Sequence, residues 1–202
     1  MTRRFTLILA ALSALFLAPL AASAAPPQIM PPQAAVFSGG CFWCMEHDMK
    51  GIRGVIKVES GYTGGHVDHP TYEDVTSERS GHRESVKVTF DPSKVDYGFI
   101  LSRYWKLIDP TDNGGQFCDR GESYTPAIFV ANEEQRKEAE ASKIEAQKQL
   151  KHGKIIVPIL PLKVFWPAEE YHRDFAERNK GHYDAYRSGC GRDERLKQVW
   201  GG

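Results

Sequence analysis

Apolar and polar residues alternate most regularly over residues 84–90. Val86, Val88 and Phe90 fall on one face and Lys87 and Thr89 on the other, the period of two that marks a half-buried strand. A second alternation over 55–61 sets Ile56 and Val58 against Lys57 and Glu59. Short apolar runs at 35–38 and 127–130 predict buried strands, and 154–162 predicts a strand near a sheet edge because Pro158 interrupts it. Helical spacing covers 41–50, which Gly51 closes, and 97–108, where Phe99, Ile100, Tyr104, Leu107 and Ile108 recur. Residues 133–150 predict a charged surface helix, and Pro167 is placed to open a last helix through Asn179. The order β-α-β-β-α-β, then α-β and a helical tail, predicts an α/β (α+β) domain. Its two layers are a mostly antiparallel sheet with a ferredoxin-like, split-βαβ core and helices packed on it.

The first residues stand apart from this pattern. Arg3 and Arg4 precede an uncharged apolar run from Phe5 to Leu20, and Ala22-Ser23-Ala24 places small residues where a signal peptidase reads. Residues 1–24 are therefore expected to be a signal peptide, since the run contains Pro19 and falls short of the ~20 residues that span a bilayer. Residues 25–34 form a proline-rich lead-in, and 35–202 suffice for a single catalytic domain with a C-terminal tail carrying Cys190. An exported protein, periplasmic or extracellular, is the expectation. The chain has 26 basic and 26 acidic side chains, and losing Arg3 and Arg4 leaves a charge of −2, which gives no reason to expect nucleic acid or an anionic membrane as partner.

All four cysteines, Cys41, Cys44, Cys118 and Cys190, lie in that domain. In an oxidising compartment two structural disulfides are one reading, with three possible connectivities. Cys41 has a more specific setting, because it follows a strand and Gly39-Gly40 and stands at the first turn of a helix. Unpaired N–H groups and the positive macrodipole there favour a thiolate, and the glycines let a substrate approach. Cys44 completes a C-x-x-C that reads as a redox pair, or as half of a zinc site for which no further close ligand pair exists. Glu84 shares the apolar face of its strand, where lost hydration raises its pKa and lets it hold a proton near neutral pH. Phe42, Trp43, Tyr62 and Tyr124 suit an apolar pocket with phenol donors. Asp119 reads as a turn residue and His172 as a packing residue.

Together these stretches resemble the A-type peptide methionine sulfoxide reductases. Gly40-Cys41-Phe42-Trp43 looks like their nucleophile motif. It is followed in order by Gly61-Tyr62-Thr63-Gly64-Gly65, Pro70-Thr71-Tyr72, Gly81-His82-Arg83-Glu84, Asp109-Pro110-Thr111, Asp119-Arg120-Gly121, Ser123-Tyr124 and Ala168-Glu169-Glu170-Tyr171-His172. The resemblance implies reduction of methionine S-sulfoxide, free or in proteins, with no metal and no organic cofactor. It implies that Cys41 attacks, Glu84 protonates the sulfoxide oxygen, Tyr62, Asp119 and Tyr124 orient that oxygen, and Phe42 and Trp43 hold the ε-methyl group. Oxygen transfer would leave Cys41 as a sulfenic acid, condensed by a second thiol to a disulfide that a thioredoxin-like donor reduces.

The sequence also departs from the pattern. Many members have glycine where Cys44 stands and an amide where Cys118 stands, and Thr125-Pro126 replaces their Arg-Ser. Cys190, between Gly189 and Gly191 in a tail resembling that of relatives with a recycling cysteine there, is the expected resolving thiol, with Cys44 and Cys118 as alternatives. Two other functions compete: a thiol–disulfide oxidoreductase working through Cys41 and Cys44, and a non-enzymatic binding module with two disulfides. The first leaves Glu84, Asp119 and the loop tyrosines without a use.

Overall fold

The computed structural model describes residues 30–201; the expected signal peptide and most of the lead-in lie outside the described residues. The main sheet has six strands. β1 (Gln33–Ser38), β2 (Val55–Thr63), β3 (Arg83–Phe90) and β6 (Ala127–Val130) stand in the order β6-β1-β3-β2, all antiparallel. With the helices α1 (Phe42–Lys50) and α3 (Tyr97–Lys106) between them, this is the ferredoxin-like βαββαβ core. Two short strands extend it: β7 (Ile159–Pro161) runs parallel to β6 at one edge, and β8 (Trp166–Pro167) pairs with β2 at the other.

Side-chain parity decides what each face buries. Ala35 and Phe37 of β1 and Val86, Val88 and Phe90 of β3 face α1 and α3, packing with Met45, Met49, Ile100, Leu101 and Tyr104. The other face is thinner: Val36, Ala127 and Phe129 are covered only by Leu160, Leu162 and Phe165. The helix α4 (Glu133–Gln149) buries Ala139 and Ala146 and leaves its charged face exposed.

Three stretches differ from the sequence reading. Residues 71–76, assigned no element, contain α2 (Tyr72–Thr76), started by a reciprocal capping box between Thr71 and Asp74. The loop after α3 holds a hairpin of β4 (Gly115–Gln116) and β5 (Asp119–Arg120), followed by a 3-10 turn at Glu122–Tyr124. Pro167 does not open a helix. It sits in β8 opposite Gly61, and a 3-10 turn (Glu170–His172) precedes the short α5 (Phe175–Arg178). Asp174, left-handed at φ 53°, separates the two. The tail forms α6 (Lys180–Gly189) and α7 (Arg192–Trp200).

The tail is fastened to the end of α3 and the loop after it, which packs on the turn between β1 and α1. Arg192, 1% exposed, donates to the Leu107 carbonyl at 2.8 Å and lies over the Phe117 ring. Trp200 donates to the Ile108 carbonyl and Arg195 to Asp109. Gly40 makes that turn at φ 80°, and a Cβ there would lie 2.6 Å from Cβ of Gln116. Gln116 is fixed in turn, accepting from the Asp109 amide and donating to its carbonyl. Gly40→Ala is expected to lower unfolding free energy by about 2 kcal/mol, combining left-handed strain with overlap. Denaturant titration checks this, and an unchanged midpoint would show that the turn relaxes freely.

Candidate active site

The period of two in β3 carries Glu84 onto the face that holds α1. There its Oε2 accepts the Phe42 backbone N–H at 2.9 Å, beside Cys41. Cys41 is the N-cap residue of α1, its carbonyl accepting from the amides of Cys44 and Met45. Tyr62 of β2 lies directly opposite Glu84 in the ladder. Phe42 packs against Tyr62, Tyr72 and His172, with ring centroids 5.9, 6.5 and 4.9 Å away. Trp43 stacks on Phe175 and donates its indole N–H to His172 Nδ1 at 3.1 Å. From the loop after α3, Asp119 and Tyr124 come close enough to act electrostatically on Glu84 and Tyr72.

Glu84 behaves as its parity predicted. It is 2% exposed, and burial pushes its pKa up to about 8 against the partial opposition of the Phe42 amide. Cys41 does not behave as its helix position predicted. Burial raises its thiol well above the ordinary value, neighbouring Cys44 and Glu84 add to this, and the Tyr186 hydroxyl acts the other way. The first amide of α1 is spent on Glu84 rather than on sulfur, and desolvation outweighs what the helix end supplies. Burial thus favours the neutral form of Cys41 over the thiolate. Cys44 is the more acidic sulfur, brought down to about 7 chiefly by the hydrogen bond from Cys41, with Arg192 and Arg187 assisting.

Further positions differ from the expected roles. The Tyr62 hydroxyl is already committed to Glu169 at 2.7 Å, so the phenol that faces an incoming oxygen is not free. Cys190 does not sit in a loose tail. It caps α6 and is disulfide-bonded to Cys118 with Cα atoms 4.9 Å apart, while Cys41 and Cys44 are free and buried. Glu169, Tyr72, His172 and Tyr186 join the site without having been expected there. Of these, Tyr72, Glu169 and His172 lay inside the quoted motifs, and Tyr186 carried no local signal.

A thiol, a proton-bearing carboxyl and an apolar aromatic wall around one small volume are the parts that oxygen transfer from a sulfoxide requires. Residues 33–202 match the family model described as peptide methionine sulfoxide reductase. The chain belongs to that family. It is an oxidoreductase of the MsrA type. It is 62% identical over 200 residues to a peptide methionine sulfoxide reductase MsrA 2 of Caulobacter vibrioides, covering 99% of this chain and 100% of that protein. It is 51% identical over 170 residues to an MsrA of Bacillus licheniformis, covering 84% and 94%. Among solved structures, the reduced form of Mxr1 from Saccharomyces cerevisiae superposes with TM-score 0.70 at 25% identity, covering 74% of this chain and 86% of that one. A methionine sulfoxide reductase A of Corynebacterium diphtheriae gives 0.66 at 26%, covering 74% and 76%.

The acidity of Glu84 has a measurable consequence. Its carboxyl titrates near 4.5 when unfolded and about 8 in the fold, so between those values the folded reductase binds the extra proton and stability falls as pH rises. The contribution to that slope is at most about 1.4 kcal/mol per pH unit. Unfolding titrations from pH 5 to pH 8 are expected to show a flatter dependence in Glu84→Gln than in the wild type, and equal slopes would place the titration elsewhere.

Proposed function

We propose that this reductase takes the oxygen of methionine S-sulfoxide onto Cys41, with Glu84 as the acid. The observation that carries the reading is Glu84, buried, proton-bearing and tied by its hydrogen bond to the amide next to the nucleophile. Cys41 sulfur attacks the sulfoxide sulfur as its proton passes to the Cys44 thiolate, and Glu84 gives its proton to the oxygen. Methionine leaves, Cys41 becomes a sulfenic acid and Glu84 a carboxylate. Phe42, Trp43 and His172 offer an aromatic wall for the ε-methyl group, while Tyr72, Tyr124 and Asp119 border the oxygen side. This division of faces supports selection of one sulfoxide epimer.

Cys44 is the best-placed resolving thiol. The spacing of three residues from an N-cap cysteine sets both sulfurs across the first turn of α1, near enough for each to act on the other's acidity. Cys44 sulfur attacks the sulfenic sulfur and its proton leaves with the hydroxyl as water, closing a Cys41–Cys44 disulfide. Cys118 and Cys190 form a second, outer pair. Cys41 and Cys44 are 6% and 2% exposed, whereas Cys118 is exposed and Cys190 borders a surface hollow with Asp109, Asp112, Phe117 and Arg195. A thioredoxin-like dithiol protein outside the cytosol would meet the outer pair first, and the reduced outer pair would pass electrons inward by thiol–disulfide exchange. An exposed disulfide also suits the oxidising compartment expected for an exported chain.

Two measurements test this reading. Cys41→Ser is expected to form no methionine, and any turnover by it would remove the nucleophile assignment. Peptide mapping of fully reduced enzyme after one equivalent of methionine sulfoxide is expected to find the Cys41–Cys44 bond. A Cys41–Cys190 bond instead would move the resolving role to the tail.

A further inference from the structure

Three ligand atoms of the kind that thiophilic metals prefer converge where β5 meets the end of α6. The sulfurs of Cys118 and Cys190 and a carboxylate oxygen of Asp119 all lie within 4.8 Å of one another. Cys118 Sγ is 3.8 Å from Asp119 Oδ1, while Oδ2 of the same carboxylate accepts the Tyr186 hydroxyl at 2.5 Å. The other carboxylates bordering the hollow beside Cys190 are already paired, Asp109 with Arg195 and Asp112 with Arg120. Cys118 is exposed and the other two residues are half-buried, so a cation can enter from solvent. We propose that the reduced outer pair, together with Asp119, is a binding site for a thiophilic divalent cation of the Zn²⁺ class.

The site exists only in the reduced protein, because the thiolate and not the disulfide sulfur is the metal ligand. Tetrahedral zinc, with bonds of about 2.3 Å to sulfur and about 2.0 Å to oxygen, sets its ligand atoms roughly 3.6–3.8 Å apart. Cys118 and Asp119 already have that spacing. The two sulfurs reach it by rotating apart once their bond is reduced, on Cα atoms 4.9 Å apart. Cys190 has room for this, since a Cβ on either flanking glycine, Gly189 or Gly191, would meet nothing within 4 Å. Water completes the four ligands, and Tyr186 orients the carboxylate from behind. Two thiolates select zinc or cadmium over magnesium and calcium. Binding releases the two thiol protons and moves no electrons. It also takes both sulfurs out of exchange. On the reading that the outer pair passes electrons to Cys41 and Cys44, occupancy stalls recycling and leaves the inner pair able to take one oxygen.

Cadmium reports sulfur ligation directly, through its thiolate-to-metal charge-transfer band. The double variant C41S/C44S, reduced and freed of reductant, is expected to take up one Cd²⁺ per chain with that band. Added Zn²⁺, but not Mg²⁺, is expected to displace it. The same protein with its outer disulfide formed is expected to show no band, a control that needs no further substitution. Adding Cys118→Ser is expected to abolish the band, and adding Asp119→Ala to weaken binding at least about 10-fold, the smallest loss seen for groups behind a ligand. No band in the reduced double variant, an equal band after oxidation or with Cys118→Ser, or unchanged affinity with Asp119→Ala overturns the proposal. In wild-type enzyme loaded with one equivalent of Zn²⁺, single-turnover methionine release is expected to persist. Turnover with a dithiol protein is expected to stop until a chelator is added. Loss of single turnover would put the metal on the inner pair and overturn the site. Undiminished recycling by enzyme that holds the metal would instead sink the relay through the outer pair, so the two failures are distinguishable.

Discussion

One hydrogen bond, from the Phe42 amide to Glu84, ties the first turn of α1 to the middle of the sheet. It satisfies a helix-terminal donor that no side-chain cap meets, since the cap residue is Cys41 itself. It also ties the Glu84 carboxyl to the backbone next to Cys41. The arrangement has an electrostatic cost: the carboxyl takes the helix end that would otherwise have stabilised sulfur. Burial disfavours charge on both Glu84 and Cys41.

The sulfurs are divided by depth. Cys41 and Cys44 lie under Trp43, Tyr183 and Tyr186, and Cys118–Cys190 lies outside them. Positive charge accompanies the inner pair through Arg192 and Arg187, both held by Asp48. Those arginines lie on the tail, so α6 and α7 supply much of the site's electrostatics although none of the quoted motif residues come from them.

What could be read from the sequence follows from how local its cause is. The alternation of β3 predicted both its strand and the inward direction of Glu84, and the apolar run at Ala127–Val130 has the bounds expected for it. The helix α2, capped by Thr71 and Asp74, went unread because it is too short to show a hydrophobic period. The last helix was misread because Pro167 suits a first helical turn and an edge strand equally well, and its partner Gly61 is distant in sequence. The same reason hid the site's other half. Nothing near Tyr62 announces Glu169, and nothing near Asp119 announces Tyr186. The thiolate expected at Cys41 failed on a subtler point, since helix position was visible while burial by the tail was not. Likewise four cysteines allow three pairings, and only the fold brings Cys118 to Cys190.

The sheet ends in strands of three and two residues, and each of these, β7 and β8, contains a proline. A proline offers no amide to a neighbouring chain, and so short an edge gives little template for one. Chains that have lost part of their fold carry bare β-edges, and an enzyme with long open borders would pair with them. Clipped borders give such chains little edge to extend.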